Sequence, residues 1–146
     1  MLVRDLLKAN PKELITVRTA TDILSAMSLL IDNKISCLLV TDEEMRLCGI
    51  ISDKDIFAAV HRNHDSFAGL TVCDLMSSEV IVGVENDDLN YIAGLMTNNR
   101  VRHIPIVDED RLIGLISIGD IVKSQMDDIT VENRYLKQYI DGSYPC

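Results

Sequence analysis

Two aspartates, Asp55 and Asp120, each stand three residues behind a serine, Ser52 and Ser117. Each serine follows a glycine and two aliphatic residues. The stretches "GIISDKD" (49–55) and "GLISIGD" (114–120) thus share one skeleton, 65 positions apart. This spacing supports two kinds of chemistry. One is structural. In a capping box the serine oxygen accepts from the N–H of the third helical residue, and the acid reaches back to the serine N–H. The other is recognition. A helix start presents unused N–H groups and a positive dipole end, where a phosphate can sit. A carboxylate offers two coplanar acceptor oxygens to a pair of vicinal hydroxyls. Neither reading excludes the other.

The elements that must position these residues come in two copies. Residues 15–40, "ITVRTATDILSAMSLLIDNKISCLLV", lie over residues 81–106, "IVGVENDDLNYIAGLMTNNRVRHIPI", without a gap. One deletion near Met45 then aligns "DEEMRLCGIISDKDI" with "DEDRLIGLISIGDI". Such self-similarity is the mark of a repeat. Each copy opens with an extended piece, near Ile15–Val17 and Ile81–Val84. A helix follows, with Ile23, Ala26, Met27, Leu30 and Ile31 on one face in the first copy. Leu89, Ile92, Ala93 and Met96 take those places in the second. Acidic residues at Asp22 and at Asp87 and Asp88 suit the helix starts. A buried strand, a polar turn and a second strand come next. Another helix begins at the serine. The predicted order per copy is β-α-β-β-α, an α/β (α+β) fold. The expected division is a first motif over 1–70 with an N-terminal helical lead, a second over 71–127, and a helical tail over 128–146.

The chain has 146 residues, 47% of them hydrophobic and 25% charged, enough to bury a core. Aromatics make up 4%, without tryptophan, so that core is aliphatic. A net charge of −9 disfavours generic nucleic-acid binding. No apolar run reaches the roughly 20 residues of a membrane span. "MLVRDLLKAN" carries an acid and no long apolar stretch, so no secretory leader is read. The expectation is a soluble, cytoplasmic protein. Cys37, Cys48, Cys73 and Cys146 have no metal-ligand spacing. His61 and His64 could pair on a metal, but no third ligand is evident, so no metal is expected. No nucleophile elbow, P-loop or GxGxxG is present, and no enzyme activity is expected.

The paired G-h-h-S-x-x-D motifs, each behind a β-α-β-β pattern and an "N-[KR]-h" helix exit, resemble the tandem cystathionine-β-synthase (CBS) domain family, or Bateman module. Pro105 in the second middle strand fits that family; the first copy has Leu39 there. The resemblance covers about residues 1–127. It implies two β-α-β-β-α units related by a pseudo-two-fold axis, with two clefts between them for adenosine-containing ligands: AMP, ADP, ATP, S-adenosylmethionine or NAD(H). It also implies an exchange between copies. Backbone of one copy's opening segment and middle strand holds adenine, and the other copy's Ser-x-x-Asp holds ribose and phosphate. One cleft then uses Ile15, Ser36 and Cys37 with Ser117 and Asp120. The other uses Ile81, Arg102 and His103 with Ser52 and Asp55.

Arg100, Arg102 and His103 form the one dense basic cluster. They either contact phosphate or are solvated cations favoured by a helix C-terminus. The first copy has Lys34, Ser36 and Cys37 there, so unequal clefts are expected. Glu85 is expected near the mouth of the second, opposing phosphate. The expected role is a nucleotide sensor that reports to an unknown regulated protein. The rival is an interaction module with empty or side-chain-filled clefts. Apolar residues on the helices after the two motifs predict a homodimer, aided by a tail helix bearing Tyr135, Leu136, Tyr139 and Ile140.

Overall fold

The computed structural model describes residues 1–126. The tail expected over 128–146, with its tyrosines, lies outside the described residues. In the first half, β1 (Thr16–Val17) leads to α2 (Ile23–Asn33), β2 (Cys37–Thr41), β3 (Leu47–Ser52) and α3 (Asp53–Arg62); α1 (Val3–Ala9) precedes them. A 3-10 turn (Phe67–Gly69) and the short α4 (Val72–Leu75) connect the halves. The second half holds α5 (Leu89–Asn99), β4 (His103–Asp108) and β5 (Arg111–Ser117). A last helix, α6, occupies residues 118–126.

Local chemistry sets these elements in matched pairs. Asp22 caps α2 by accepting from the Ser25 N–H at 3.1 Å, and Asp88 caps α5 by accepting from Asn90 at 2.8 Å. Both helices end on a cation in the left-handed region, Lys34 and Arg100, each at φ 54°. The six-to-one bonds Ile35 N–H to Leu30 O (3.1 Å) and Val101 N–H to Met96 O (3.0 Å) close them. Asn33 and Asn99, matched in the repeat, each donate a side-chain N–H to a carbonyl four residues back, Leu29 and Leu95, at 2.9 Å.

The first half forms a three-stranded sheet in the order β1-β2-β3, with β1 parallel and β3 antiparallel to β2. The second half keeps only the β4-β5 pair. Its expected opening strand shrinks to one bridge, Gly83 to Ile106. Proline accounts for this. The Pro105 carbonyl accepts from Gly83 N–H at 2.9 Å, and the same strand edge is where its missing N–H would have donated.

Each lead helix packs on the opposite half. Val3 and Leu6 of α1 join the core of Leu89, Ile92, Met96, Ile104, Ile106 and Ile116. Val72 of α4 joins the core of Val17, Ile23, Ala26, Leu30, Leu38 and Ile51. The anchoring bonds repeat across the pseudo-axis: Val3 N–H to Asp87 O (2.9 Å) matches Val72 N–H to Thr21 O (2.8 Å). The motif glycines make room for these leads. A Cβ on Gly49 would stand 2.7 Å from the Ser77 carbonyl oxygen, and one on Gly114 would stand 2.8 Å from Leu7. At the far end the halves join directly. Leu47 N–H donates to Asp110 O (3.2 Å) and Leu112 N–H to Met45 O (2.9 Å).

Candidate functional site

Strand pairing sets each serine beside the middle strand of its own copy, so each partner belongs to the other expected site. Cys37 stands opposite Ser52, and His103 opposite Ser117, at the inner ends of the two hairpins. Each helix start is also tied to the residue just ahead of its hairpin's first strand: Asp53 N–H donates to Ser36 O, and Ile118 N–H to Arg102 O, both at 2.9 Å. Both capping boxes form. Asp55 accepts from Ser52 N–H at 2.8 Å and returns its own N–H to Ser52 Oγ at 3.3 Å. Asp120 accepts from Ser117 N–H at 2.8 Å and donates to Ser117 Oγ at 3.1 Å.

A cavity of about 490 Å³ lies between the halves, and its walls include Ile15, Ser36, Cys37 and Ser117. Lys12, Lys34 and His103 also line it. Asp120 lines an adjoining cavity of about 180 Å³, which shares Lys12, Leu14 and Leu115 with the first. The first expected constellation is thus assembled across two joined cavities. The second is smaller and less complete. Ser52, Asp55, Arg102 and His103 line a cavity of about 220 Å³ together with Asp53, Lys54 and Arg100. Ile81 is absent from that lining; it packs against the second core. Glu85 is elsewhere too. It borders a cavity with Asp108, Glu109 and Asp110, because its carbonyl is tied to the Arg4 N–H at the outer end of α1.

Lys12 was not legible as a site residue. Its ammonium lies within hydrogen-bond distance of both Asp120 carboxylate oxygens, from 108 positions away. Burial alone would raise the Asp120 carboxyl. The hydrogen bonds from Lys12 and Ser117 outweigh it and hold the group below its usual value. In the repeat, Ser78 stands where Lys12 stands, and Asp55 Oδ2 accepts from the Ser52 N–H and hydroxyl.

Two more groups differ from their ordinary chemistry. Burial, followed by the charges of Arg102 and Lys12, holds the His103 imidazole below the ordinary histidine value, so it is neutral at pH 7. The buried Cys37 thiol is pushed up to about 11 by burial and then by Asp53. It is inert as a nucleophile, and its backbone is what it offers the cavity. Arg102 is exposed. Among the described residues, no group of three or more His, Cys, Asp or Glu side chains is placed to hold a metal, and no helix is long and apolar enough to cross a membrane.

Comparison with known proteins bears on this arrangement. The CBS domain family model matches twice, over residues 3–62 and 72–127. The chain is 30% identical over 131 residues to the mitochondrial CBS domain-containing protein CBSX3 of Arabidopsis thaliana; the match covers 86% of this chain and 63% of that protein's length. The solved CBS domain pair of protein MJ0100, in complex with 5′-methylthioadenosine and S-adenosyl-L-methionine, superposes with a TM-score of 0.77 at 29% identity, covering 88% of this chain and 98% of that one. The structure of CBSX2 in complex with AMP gives a TM-score of 0.75 at 28% identity, covering 86% and 96%. Two family matches over most of the chain, on a fold with the same pair architecture, establish that the chain belongs to the CBS domain family.

Proposed function

We propose that this chain is a non-catalytic regulatory module that binds an adenosine-containing nucleotide between its halves. One observation carries the reading. The cavity of about 490 Å³ brings Ile15, Ser36 and Cys37 of the first half to Ser117 of the second, with Asp120 beside it and no Met, Phe or Arg in its lining. That volume lies within the ordinary range for small-molecule sites, about 300–1,000 Å³. Backbone of the cavity-lining residues Ile15, Ser36 and Cys37 suits an adenine edge, and Asp120 suits a ribose diol. The complexes of the two similar structures support adenosine-type ligands as a class. AMP, ADP and ATP are the ligands this reading favours, with NAD(H) and S-adenosylmethionine as alternatives. The smaller cavity at Ser52, Asp55, Arg102 and His103 is a second, weaker site. In this reading the protein works in the cytoplasm and passes occupancy to a regulated protein.

Thermal melting with AMP, ADP, ATP, NAD(H), S-adenosylmethionine and adenosine tests the class. A ligand at about 100 times its dissociation constant adds about 2.7 kcal/mol of stability. No shift with any of the six rejects the reading in favour of the interaction module. The Lys12–Asp120 pair is what favours that rival, since it fills the expected ribose acceptor with a side chain.

The reading includes a homodimer through the α2–α3 face. Phe57 is 78% exposed and Ile31 is 71% exposed, and both border an apolar groove with Met27, Leu30, Ile56 and Val60. Ile31 was read on the apolar face of α2 with Ile23, Ala26, Met27 and Leu30, and it stands at the exposed side of that face, in this groove.

A further inference from the structure

The ammonium of Lys12 stands where a ribose would have to bind. Asp120 is nearly buried, with its side chain 10% exposed, while Lys12 is 43% exposed and borders both joined cavities. A ribose diol that takes the Asp120 oxygens must therefore displace Lys12 from at least one of them. The displaced ammonium remains in the mouth of the cavity, where Lys34 adds a second positive charge and Glu13 a negative one. His103 is neutral at pH 7 and adds none. A neutral ligand leaves Lys12 without the partner it has lost. An anionic ligand supplies a new one.

The α6 start favours the same outcome. In α3, Asp53 Oδ1 accepts from the Lys54 N–H at 2.8 Å, so a side chain occupies that second amide. In α6 the corresponding pair is Ile118 and Gly119, and isoleucine has no acceptor. A Cβ on Gly119 would meet, apart from its chain neighbours and the helix backbone, only Ser117 Oγ within 4 Å, at 3.6 Å, so no side chain from elsewhere crowds that residue.

We infer that Lys12 is the specificity-determining residue of the larger cleft. Ribose displaces it from Asp120, and it re-pairs with an anionic 5′ group, so the cleft selects 5′-phosphorylated adenosines over neutral ones. This rests on the nucleotide-binding reading above and names the ligand class within it. The second cleft lacks the device, because Ser78 stands in the place of Lys12.

Titration calorimetry of the intact chain with AMP, adenosine and 5′-methylthioadenosine tests it, on wild type, Lys12→Met and Lys12→Arg. Wild type binds AMP more tightly than the two neutral ligands by roughly tenfold or more, the worth of a charge-assisted contact, and added salt narrows the gap. Lys12→Met loses about tenfold for AMP, while adenosine and 5′-methylthioadenosine hold or gain affinity because Asp120 is released. Lys12→Arg keeps the preference for AMP. Equal losses for AMP and adenosine in Lys12→Met, or a wild-type ratio near one, overturn the inference while leaving nucleoside binding intact. The wild-type ratio decides even where Lys12→Met does not fold. Absence of binding by all three to wild type overturns this inference, and the six-ligand melting series then decides the functional reading separately.

Discussion

At the scale of single residues, the two Ser-x-x-Asp motifs are chemically alike and sit in unlike surroundings. Asp120 adjoins the cavity of about 490 Å³, whereas Asp55 lines one of about 220 Å³ that also holds Asp53. Asp120→Ala is therefore expected to weaken nucleotide binding more than Asp55→Ala. Lost hydrogen bonds to a charged group cost about 1.5–3 kcal/mol, or roughly 10–100-fold in affinity. Calorimetry on both variants checks the order; a larger loss at Asp55 reverses it. His103 sets a pH dependence of stability. Its folded value lies below the unfolded one, so the unfolded chain takes a proton first as pH falls. The contribution is fully present above the unfolded value of about 6.5 and is lost as pH drops from there toward the folded value. Urea midpoints of wild type should therefore fall between about pH 7 and about pH 5.5, and those of His103→Gln should fall less. Equal slopes would remove His103 from the account.

At the scale of elements, the motif glycine has a packing task separate from any ligand. Gly49→Ala would drive a methyl toward the Ser77 carbonyl oxygen and Met76, and backbone yields poorly there. Gly114→Ala meets the flexible end of Leu7. Gly49→Ala should destabilise by about 1–3 kcal/mol and Gly114→Ala by less. Chemical denaturation of the two variants measures the difference, and equal effects would contradict the packing argument. Much of this level was legible in the sequence. The gapless overlay of residues 15–40 on 81–106 located both long helices and their Asn exits, and its continuation past one deletion near Met45 located both hairpins, because periodicity and caps are local signals. The exchange of α1 and α4 between halves was not legible. Val3 and Leu6 mark a short apolar face, but nothing in a seven-residue helix says which core receives it. Pro105 was noticed, yet its effect on the neighbouring segment depends on which edge of β4 that segment occupies. Lys12 escaped for a similar reason, since its partner lies in the other half and its own surroundings, "NPKEL", carry no motif.

At the scale of the whole molecule, two small cores share two interfaces. The turns at Met45–Leu47 and Asp110–Leu112 join the halves at one end, and the cavities separate them at the other. A ligand that touches Ile15 and Ser117 together would tie the open end, which is how occupancy becomes a change of shape. The exposed Phe57 and Ile31 give that change a surface to act on. Light scattering should give twice the 16.3 kDa chain mass for wild type and a smaller particle for Phe57→Glu. A wild-type monomer at micromolar concentration would exclude the dimer. The central claim is a nucleotide held between the halves by these carboxylates. Its most direct test is titration calorimetry with AMP on wild type and on the Asp55→Ala/Asp120→Ala double variant, with unliganded melting curves showing both to be folded. The account predicts saturable binding to wild type and its loss in the double variant. Undiminished AMP binding by the folded double variant, or none by wild type, would contradict it.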